Sequence, residues 1–192
     1  TPLYDPCCGS GTIAIEAAQI ACGIAPGIMR RFAFEKLLPF QPHVWQALQD
    51  DARAQEHAPT TEIHASDVAF RMVDFTQRNA ERAGVGQVVQ ARGGDALQRM
   101  PPCETPGVML LNPPYGERMN EENIIPMYKA IGDHLKHACA GHSAWIISSD
   151  EEALKRVGLK PSRKIALING TLACKFYRFD LFAGKRSERH QH

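Results

Sequence analysis

The stretch that decides the fold is DPCCGSGT, residues 5–12, close to the start of the chain. A short apolar run precedes it and a segment with helical spacing follows, so its glycines lie between a strand and a helix. Glycine at such a turn lets the backbone approach a ligand closely. The helix that follows offers free N–H groups and the positive end of its dipole. The stretch therefore predicts a site for a nucleotide or a nucleotide-like cofactor.

Two common nucleotide motifs do not fit this stretch. The Gly-Lys-Ser/Thr that completes a P-loop is absent, and Ala14 stands where the dinucleotide fingerprint has its third glycine. Asp5 ends the predicted strand and directs a carboxylate at the ligand. A carboxylate repels pyrophosphate but suits a cation. S-adenosylmethionine, which carries an amino group and a sulfonium, fits this arrangement.

Length and composition describe a globular protein of ordinary size. The chain has 192 residues, of which 22% are charged and 44% belong to the set AVILMFWYC, values that suit one domain with a real core. It contains neither an apolar run long enough to span a membrane nor a signal peptide at its start, so we expect a cytoplasmic protein. The six cysteines are scattered without a CxxC pair, which favours reduced thiols and argues against zinc.

Apolar runs that end in turn or acidic residues alternate with segments of helical spacing. This rhythm predicts an α/β fold with a mostly parallel sheet covered on both faces. Ile13, Ala17 and Ile20 share one face of the first helix, and Pro126 suits the first turn of a later one. The predicted strands are 2–5, 62–67, 88–91, 108–111, 143–148, 164–168 and 173–182.

Three regions depart from this rhythm. The last two strands are joined only by NGTL, and Asn169-Gly170 is a strong hairpin signal, so the sheet should end in an antiparallel hairpin. Residues 24–59 carry four prolines among aromatic and basic residues and read as an insertion with one or two short helices. We expect the catalytic domain to span 1–183 and the polar segment 184–192 to be a tail. Because Thr1 falls almost inside the first strand, we also expect a domain of a longer protein.

Two further aspartates follow predicted strands. Asp67 ends the second strand, where a carboxylate can accept hydrogen bonds from both ribose hydroxyls, and Asp95 follows the third, where it can accept one from an adenine amine. Each alone is more often a helix cap or a loop residue. Together with Asp5 they lie at the carboxyl ends of three strands, which is the edge where open parallel sheets bind ligands.

The second motif is NPPYGER, residues 112–118, directly after the apolar run VMLL. The two prolines fix the backbone and remove two donors, while the carbonyl of Pro113 remains free to accept. A planar amine can donate to the side-chain oxygen of Asn112 and to this carbonyl, and Tyr115 can stack on its ring. The alternative is a rigid turn between a strand and a helix.

With both motifs in place, the chain resembles class I S-adenosylmethionine-dependent methyltransferases that methylate exocyclic amines. The longer strings DPCCGSGTIAIEAA, APGIMRRFAFE, NAERAGV and NPPYGERM resemble the THUMP-associated guanine-N2 RNA methyltransferases, in particular bacterial enzymes of 23S ribosomal RNA. The resemblance covers residues 1 to about 183. It implies a Rossmann-like class I methyltransferase fold with a seven-stranded sheet and a C-terminal antiparallel hairpin.

The resemblance also implies roles for residues that match the family's motifs. The target base would be held by Asn112, Pro113, Pro114 and Tyr115. S-adenosylmethionine would be bound by Asp5, Pro6, Cys7, Gly9, Gly11, Thr12, Asp67, Asp95 and Asn112. Family members usually carry an N-terminal THUMP domain that binds RNA. None precedes the first motif here and the net charge is only +1, so we expect that domain to supply the grip on RNA.

Three functions remain open at this point. The motif NPPY also serves adenine-N6 methyltransferases of DNA or RNA, and only the wider family match favours guanine. A nucleotide-binding scaffold without activity is the alternative outside enzymes. No cysteine stands in an equivalent loop, which argues against the cysteine-dependent route to 5-methylpyrimidines. Insertion residues Arg30 and Arg31, with nearby aromatics, either line the RNA side of the pocket or belong to a solvated cap.

Overall fold

The strands of the chain assemble into one mixed sheet in the order β3-β2-β1-β4-β5-β7-β6. The computed structural model describes residues 1–114 and 121–183. Strands β1 to β5 are mutually parallel, and β7 runs antiparallel to both β5 and β6. This arrangement confirms the predicted α/β fold with its C-terminal hairpin. The strands are β1 (Leu3–Asp5), β2 (Ile63–Asp67), β3 (Val89–Gly93), β4 (Val108–Leu111), β5 (Ser143–Ser148), β6 (Arg163–Asn169) and β7 (Leu172–Asp180).

Helices cover the sheet on both faces. On one face α1 and α3 pack against β1, β2 and β3, and on the other α4 packs with α5, which lies on β5. The larger core forms beneath α4, where Tyr128 and Leu135 are fully buried against β4 and β5. Burying a large apolar side chain stabilises the fold by about 1.5–3 kcal/mol. The α-helices are α1 (Thr12–Ala21), α2 (Pro42–Arg53), α3 (Phe70–Arg82), α4 (Glu121–Ala138) and α5 (Glu151–Arg156).

The buried face of α1 differs from the predicted one. The helix turns Ala14, Ala18 and Ala21 to the core, while Ile20 is 78% exposed. Alanines let the helix lie close to the sheet beside α3, which isoleucines at those positions would prevent. The helical spacing therefore predicted the helix correctly. The face formed by Ile13, Ala17 and Ile20, however, is not the face that packs on the core.

Helix α4 begins earlier than its sequence suggests. Pro126 lies inside the helix, five residues after its first residue, and not in its first turn. Proline at an interior position removes one hydrogen bond of the helical ladder and is tolerated when packing compensates for the loss. Ile124 and Tyr128 on either side of it are buried in the larger core, which supplies that packing.

The insertion leaves the sheet at the amino ends of the strands. Helix α1 starts at the carboxyl edge and is about 15 Å long, so the chain after it emerges at the opposite edge. The returning chain is fixed there by backbone hydrogen bonds from His57 to Cys22 (2.9 Å) and from Thr60 to Ala21 (3.0 Å). The insertion contains a 3-10 turn, Ala33–Lys36, and α2, as predicted.

Candidate functional site

The predicted site residues of the first half of the chain meet at the carboxyl edge of the sheet. The strand order reverses between β1 and β4, because the chain builds outward from β1 to β3 and then crosses over to β4. Open α/β sheets bind ligands at such a switch point. Asp5 ends β1 and Asn112 follows β4, so the two motifs lie on neighbouring strands.

Hydrogen bonds hold the glycine turn in a fixed shape. The backbone N–H of Gly9 donates to Oδ2 of Asp67 (3.0 Å), and its carbonyl accepts from the hydroxyl of Thr76 (3.0 Å). Gly11 has a φ of 92°, and a Cβ there would lie 2.9 Å from Cγ2 of Thr76. Gly9 has a φ of 54°, and a Cβ there would meet nothing within 4 Å. At position 11 glycine is required because a side chain would clash with Thr76. At position 9 a side chain would meet open space, and glycine is required by the positive φ.

Asp5 is a buried carboxylate with one oxygen unused. It is 1% exposed, its Oδ1 accepts from the backbone N–H of Cys7 (3.2 Å), and Oδ2 has no partner among the described residues. Burial raises the pKa of Asp5 from 3.8 to about 7, and the nearby Asp67 adds to this shift. An unsatisfied buried carboxylate is costly, and a cationic ligand would relieve that cost.

Asp67 and Asp95 already have partners within the chain. Asp67 accepts from Gly9 and also from the backbone N–H of Ala69 (2.9 Å). Asp95 accepts from the backbone N–H of Leu97 (2.9 Å) and from the amide of Gln98 (2.9 Å), and it caps the 3-10 turn Ala96–Gln98. A carboxylate oxygen can accept more than one hydrogen bond, so both side chains keep capacity for a ligand.

One cavity of about 480 Å³ joins the two motifs. This volume is in the usual range for cofactor pockets. Polar groups from Asp67 and Asp95 stand in a lining that is otherwise largely apolar, with Val68 and Leu97 beside them. Among the other predicted site residues, it reaches Pro6, Cys7, Pro113 and Pro114. Burial raises the pKa of the Cys7 thiol to about 12, so this side chain is a neutral wall residue.

The second motif presents an unpaired acceptor beside this cavity. Oδ1 of Asn112 is buried and has no hydrogen-bond partner among the described residues. Pro113 is fully buried and Pro114 is exposed, so the backbone at this point is fixed by both ring geometry and packing. Tyr115 lies outside the described residues. A buried amide oxygen without a partner is costly and calls for a donor that the chain does not supply.

Comparison with known proteins assigns the family. A family model described as UPF0020, RMKL-like, methyltransferase domain, matches residues 1–178. The chain belongs to this methyltransferase family. The resemblance predicted from DPCCGSGT and NPPY is thereby confirmed.

Individual relatives of the methyltransferase domain are similar over nearly the whole chain but are longer. The ribosomal RNA large subunit methyltransferase K/L of Shewanella loihica is 40% identical over 187 residues, which are 94% of this chain and 26% of that protein. SMU.472, described as a methyltransferase and solved with SAH bound, is 31% identical with a TM-score of 0.87. The match covers 96% of this chain and 49% of that one.

A third relative has a name that points to a different substrate. A structure from Listeria monocytogenes, described as a predicted N6-adenine-specific DNA methylase, is 30% identical with a TM-score of 0.78, over 96% of this chain and 47% of that one. The chain spans about a quarter of the Shewanella protein and about half of the two solved chains. Among the described residues no helix is long and apolar enough to cross a membrane.

His134 is a residue of the methyltransferase cavity that the sequence did not reveal. It lies on α4, lines the cavity, and interacts with the backbone of Leu97, while its Nε2 is buried without a partner among the described residues. Burial lowers the pKa of His134, which favours the neutral ring. The helical spacing is enough to predict that His134 lies beside Ile131 and Leu135 on the inner face of α4. Its proximity to Leu97 could not be predicted, because it depends on how the helix packs in the fold.

The structure places Arg30 and Arg31 away from this cavity. They line a second cavity of about 290 Å³ within the insertion, together with Trp45. Within the described part of the chain, no residue of 24–59 lines the larger cavity. Arg30 stacks on Phe32 at 4.5 Å, and Trp45 contacts Phe32 and Phe34 edge-on, so an aromatic cluster organises the insertion.

Proposed function

We propose that this methyltransferase domain transfers a methyl group from S-adenosylmethionine to an exocyclic amine of a base in large-subunit ribosomal RNA, with guanine N2 as the target. One observation carries the proposal. Oδ2 of Asp5 and Oδ1 of Asn112 are buried acceptors without partners among the described residues. Neither residue lines the cavity itself, but they stand at the ends of neighbouring strands and the residue after each, Pro6 and Pro113, does line it. The Asp5 oxygen suits a cationic cofactor and the Asn112 oxygen an amine.

The cofactor end of the cavity fits S-adenosylmethionine. SMU.472 was solved with SAH, the product that remains after methyl transfer. In the chain described here, Asp5 would attract the positive charge of the cofactor, and Gly9 would let its amino-acid portion approach the turn. Asp67 would accept from the ribose hydroxyls, and Asp95 from the adenine amine between Val68 and Leu97. Pro6, Cys7, Gly11 and Thr12 would shape the turn that holds it.

The base end positions the amine. Bound S-adenosylmethionine supplies an activated methyl group on a sulfonium. The exocyclic amine is a poor nucleophile because its lone pair is delocalised into the ring. Oδ1 of Asn112 and the carbonyl of Pro113 would accept hydrogen bonds from the two N–H groups of the amine. These bonds would orient the nitrogen and stabilise the positive charge that develops on it. We propose that Pro114 and Tyr115 complete the wall on which the base stacks.

The name of the Shewanella relative supports ribosomal RNA as the substrate, and the resemblance carried by the strings APGIMRRFAFE and NPPYGERM supports guanine N2 as the target atom. The second candidate is adenine N6 in DNA or RNA, and the name of the Listeria relative supports adenine N6 in DNA. The two amines lie on opposite groove edges of a base pair, so the base would enter the pocket in a different orientation.

A direct test uses unmodified large-subunit rRNA and a matched DNA, each incubated with the chain and labelled S-adenosylmethionine. Mass analysis of the nucleosides should give N2-methylguanosine, and mapping should place it at a defined position. Inosine at that position lacks the N2 amine and should accept no methyl group. Recovery of N6-methyladenosine would favour the second candidate instead.

Calorimetry tests the scaffold alternative. A methyltransferase should bind S-adenosylmethionine and SAH in preference to NAD and ATP, because Asp5 favours a cation and the turn lacks a P-loop. Equal affinity for all four ligands would support a scaffold.

We further propose that the whole protein gains part of its RNA affinity outside residues 1–192. The chain spans 26% of the Shewanella relative and has a net charge of only +1. An additional RNA-binding domain, which the THUMP resemblance implies, would lower the Michaelis constant for RNA. If the 192 residues match the whole protein at low RNA concentration, this proposal is wrong.

A further inference from the structure

The tip of the β6–β7 hairpin projects past the edge of the sheet that carries the site. Because β7 is antiparallel to β5, its first residues lie at the carboxyl end of β5. Ser148, the last residue of β5, pairs with Lys175. Leu172 is three residues farther along β7, which places it about 10 Å beyond that point. Strand β7 therefore stands two strands from β4, at a lateral distance of about 10 Å, and β6 stands three strands away, at about 15 Å.

Large apolar side chains stand exposed at this tip. Ile168 is 78% exposed and Leu172 is 49% exposed. They flank a tight turn in which Asn169 pairs with Leu172 and Gly170 has a φ of 63°. Ile168 pairs with Ala173, one position away in register, so Ile168 and Leu172 lie on opposite faces of the ribbon. An element that inserts between two stacked bases needs an apolar contact on each face, and this ribbon provides both.

The charge of the hairpin fits an anionic partner. Residues 163–180 contain four basic side chains and one acidic one, a formal net charge of +3, whereas the whole chain has +1. The basic residues are Arg163, Lys164, Lys175 and Arg178, and the acidic one is Asp180. Lys175 lies nearest the tip, level with Ser148, whereas Arg163 and Arg178 are level with Trp145 and Arg178 is paired with Asp180. Positive residues also protect an outer strand such as β6 from pairing with another sheet. That role does not explain two exposed apolar residues at the tip.

We propose that Ile168 and Leu172 form a wedge that enters the RNA next to the target nucleotide and fills the space from which the base has been turned out. The inference rests on the proposed function, since it requires an RNA substrate. A paired base must leave its stack to reach Asn112, and unstacking costs a few kcal/mol. Apolar side chains inserted between base steps replace part of that stacking. Lys175, and Lys164 behind it, hold the neighbouring phosphates.

The test compares a paired with an unpaired target. Two short RNA hairpins carry the mapped target nucleotide, one in a base pair and one opposite an abasic site. The double variant Ile168→Ala with Leu172→Ala is assayed on both, with Leu172→Met as the conservative variant. Leu48→Ala is the matched control, because Leu48 is similarly exposed (56%) but lies on α2 in the insertion.

The double variant should lose about tenfold in kcat/KM on the paired target and less than about threefold on the target opposite the abasic site. Leu172→Met and Leu48→Ala should behave as the unmodified chain. SAH affinity by calorimetry should be unchanged in all variants, which also shows that they fold. A 2-aminopurine beside the paired target should report less unstacking with the double variant.

Two results would overturn the wedge. Equal losses on both RNAs would indicate a general contact, and no loss on either would leave the tip without a role in RNA binding or make it a surface for a protein partner. In both cases the unmodified chain still methylates RNA and the proposed function stands. If the unmodified chain methylates neither RNA, the proposed function fails and the wedge fails with it.

Discussion

The two halves of the carboxyl edge differ in charge although they belong to one sheet. The β1–β3 half ends in carboxylates, Asp5, Asp67 and Asp95, whereas the β4–β7 half presents the amide of Asn112 and the hairpin residue Lys175. The first half suits a cationic cofactor, and the second suits an anionic polymer. The strand reversal between β1 and β4 would let one edge serve both of the proposed ligands.

The side chains along this edge differ in how far their hydrogen-bonding groups find partners within the chain. Asp67 and Asp95 are bound to backbone N–H groups, so the acidic half is preorganised by its own hydrogen bonds. Asn112 has a buried oxygen without a partner in the described structure, and Asp5 has one as well. Such groups are retained at a cost in stability, which indicates that ligands complete them.

Asn112→Ala should have the largest effect on catalysis and should leave the cofactor-binding half of the edge intact. Removing an oriented acceptor that acts on developing charge should lower kcat by about 10²- to 10³-fold. The acidic half remains intact, so SAH affinity by calorimetry should change by less than about threefold. Asn123→Ala, an exposed position on α4, serves as the control and should leave both quantities unchanged. A large loss of SAH binding in Asn112→Ala would place this residue on the cofactor side of the comparison.

Asp5 should make the acidic half sensitive to pH. Its folded pKa of about 7 lies above the ordinary value of 3.8, so between these values the folded state binds more protons than the unfolded state. The contribution of Asp5 to stability without cofactor is therefore greatest below about pH 4, and about 2–4 kcal/mol of it should be lost as the pH rises to 8. Thermal unfolding across this range should show the decline, and Asp5→Asn should flatten it.

Cofactor binding should show the opposite dependence on pH. Below about pH 7 Asp5 is protonated, so the affinity for S-adenosylmethionine should weaken by up to about tenfold per pH unit. Asp5→Asn should bind weakly at every pH. A pH-independent affinity in the unmodified chain would show that Asp5 does not contact the positive charge of the cofactor.

Asp67→Ala should weaken SAH binding by about 1–3 kcal/mol, because it leaves ribose hydroxyls and the N–H of Gly9 without an acceptor. Asp67→Asn keeps one acceptor oxygen and should lose less. Asp74→Ala is the control, since Asp74 makes a surface ion pair with Arg78 on the same helix, where such pairs contribute little. Unchanged SAH affinity in Asp67→Ala would remove this residue from the site.

The positions of the helices and strands could be predicted from the sequence better than the burial and contacts of their side chains. Asp5, Gly9 and Gly11 could be assigned because a strand, a turn and a helix have a recognisable local order. The raised pKa of Asp5 depends on burial by distant segments, and His134 reaches Leu97 only through the packing of α4, so neither has a local signal. The buried face of α1 was missed because close packing against the sheet favoured alanine over isoleucine.

The position of the insertion also could not be predicted from the sequence. Spacing along the chain does not reveal at which edge of a sheet a segment emerges. Arg30 and Arg31 resembled RNA ligands in the sequence, yet they line a cavity of the insertion, which is anchored at the amino ends of the strands. This placement favours the cap over the RNA contact.

The smallest expected effect therefore belongs to Arg30→Ala with Arg31→Ala. Their guanidinium groups belong to a segment held at the edge opposite Asn112, and Arg30 is engaged with Phe32. The double variant should leave kcat and SAH affinity unchanged and should not alter the salt dependence of RNA binding. Lys164→Ala with Lys175→Ala, on the hairpin, removes the same charge nearer the edge of the site, since Lys175 is level with Ser148 at the end of β5 and Lys164 is level with Ile146. That pair should lower the slope of log K against log salt by about one for each phosphate that is no longer neutralised. A flatter slope for the insertion pair than for the hairpin pair would reverse the comparison and place the RNA on the insertion.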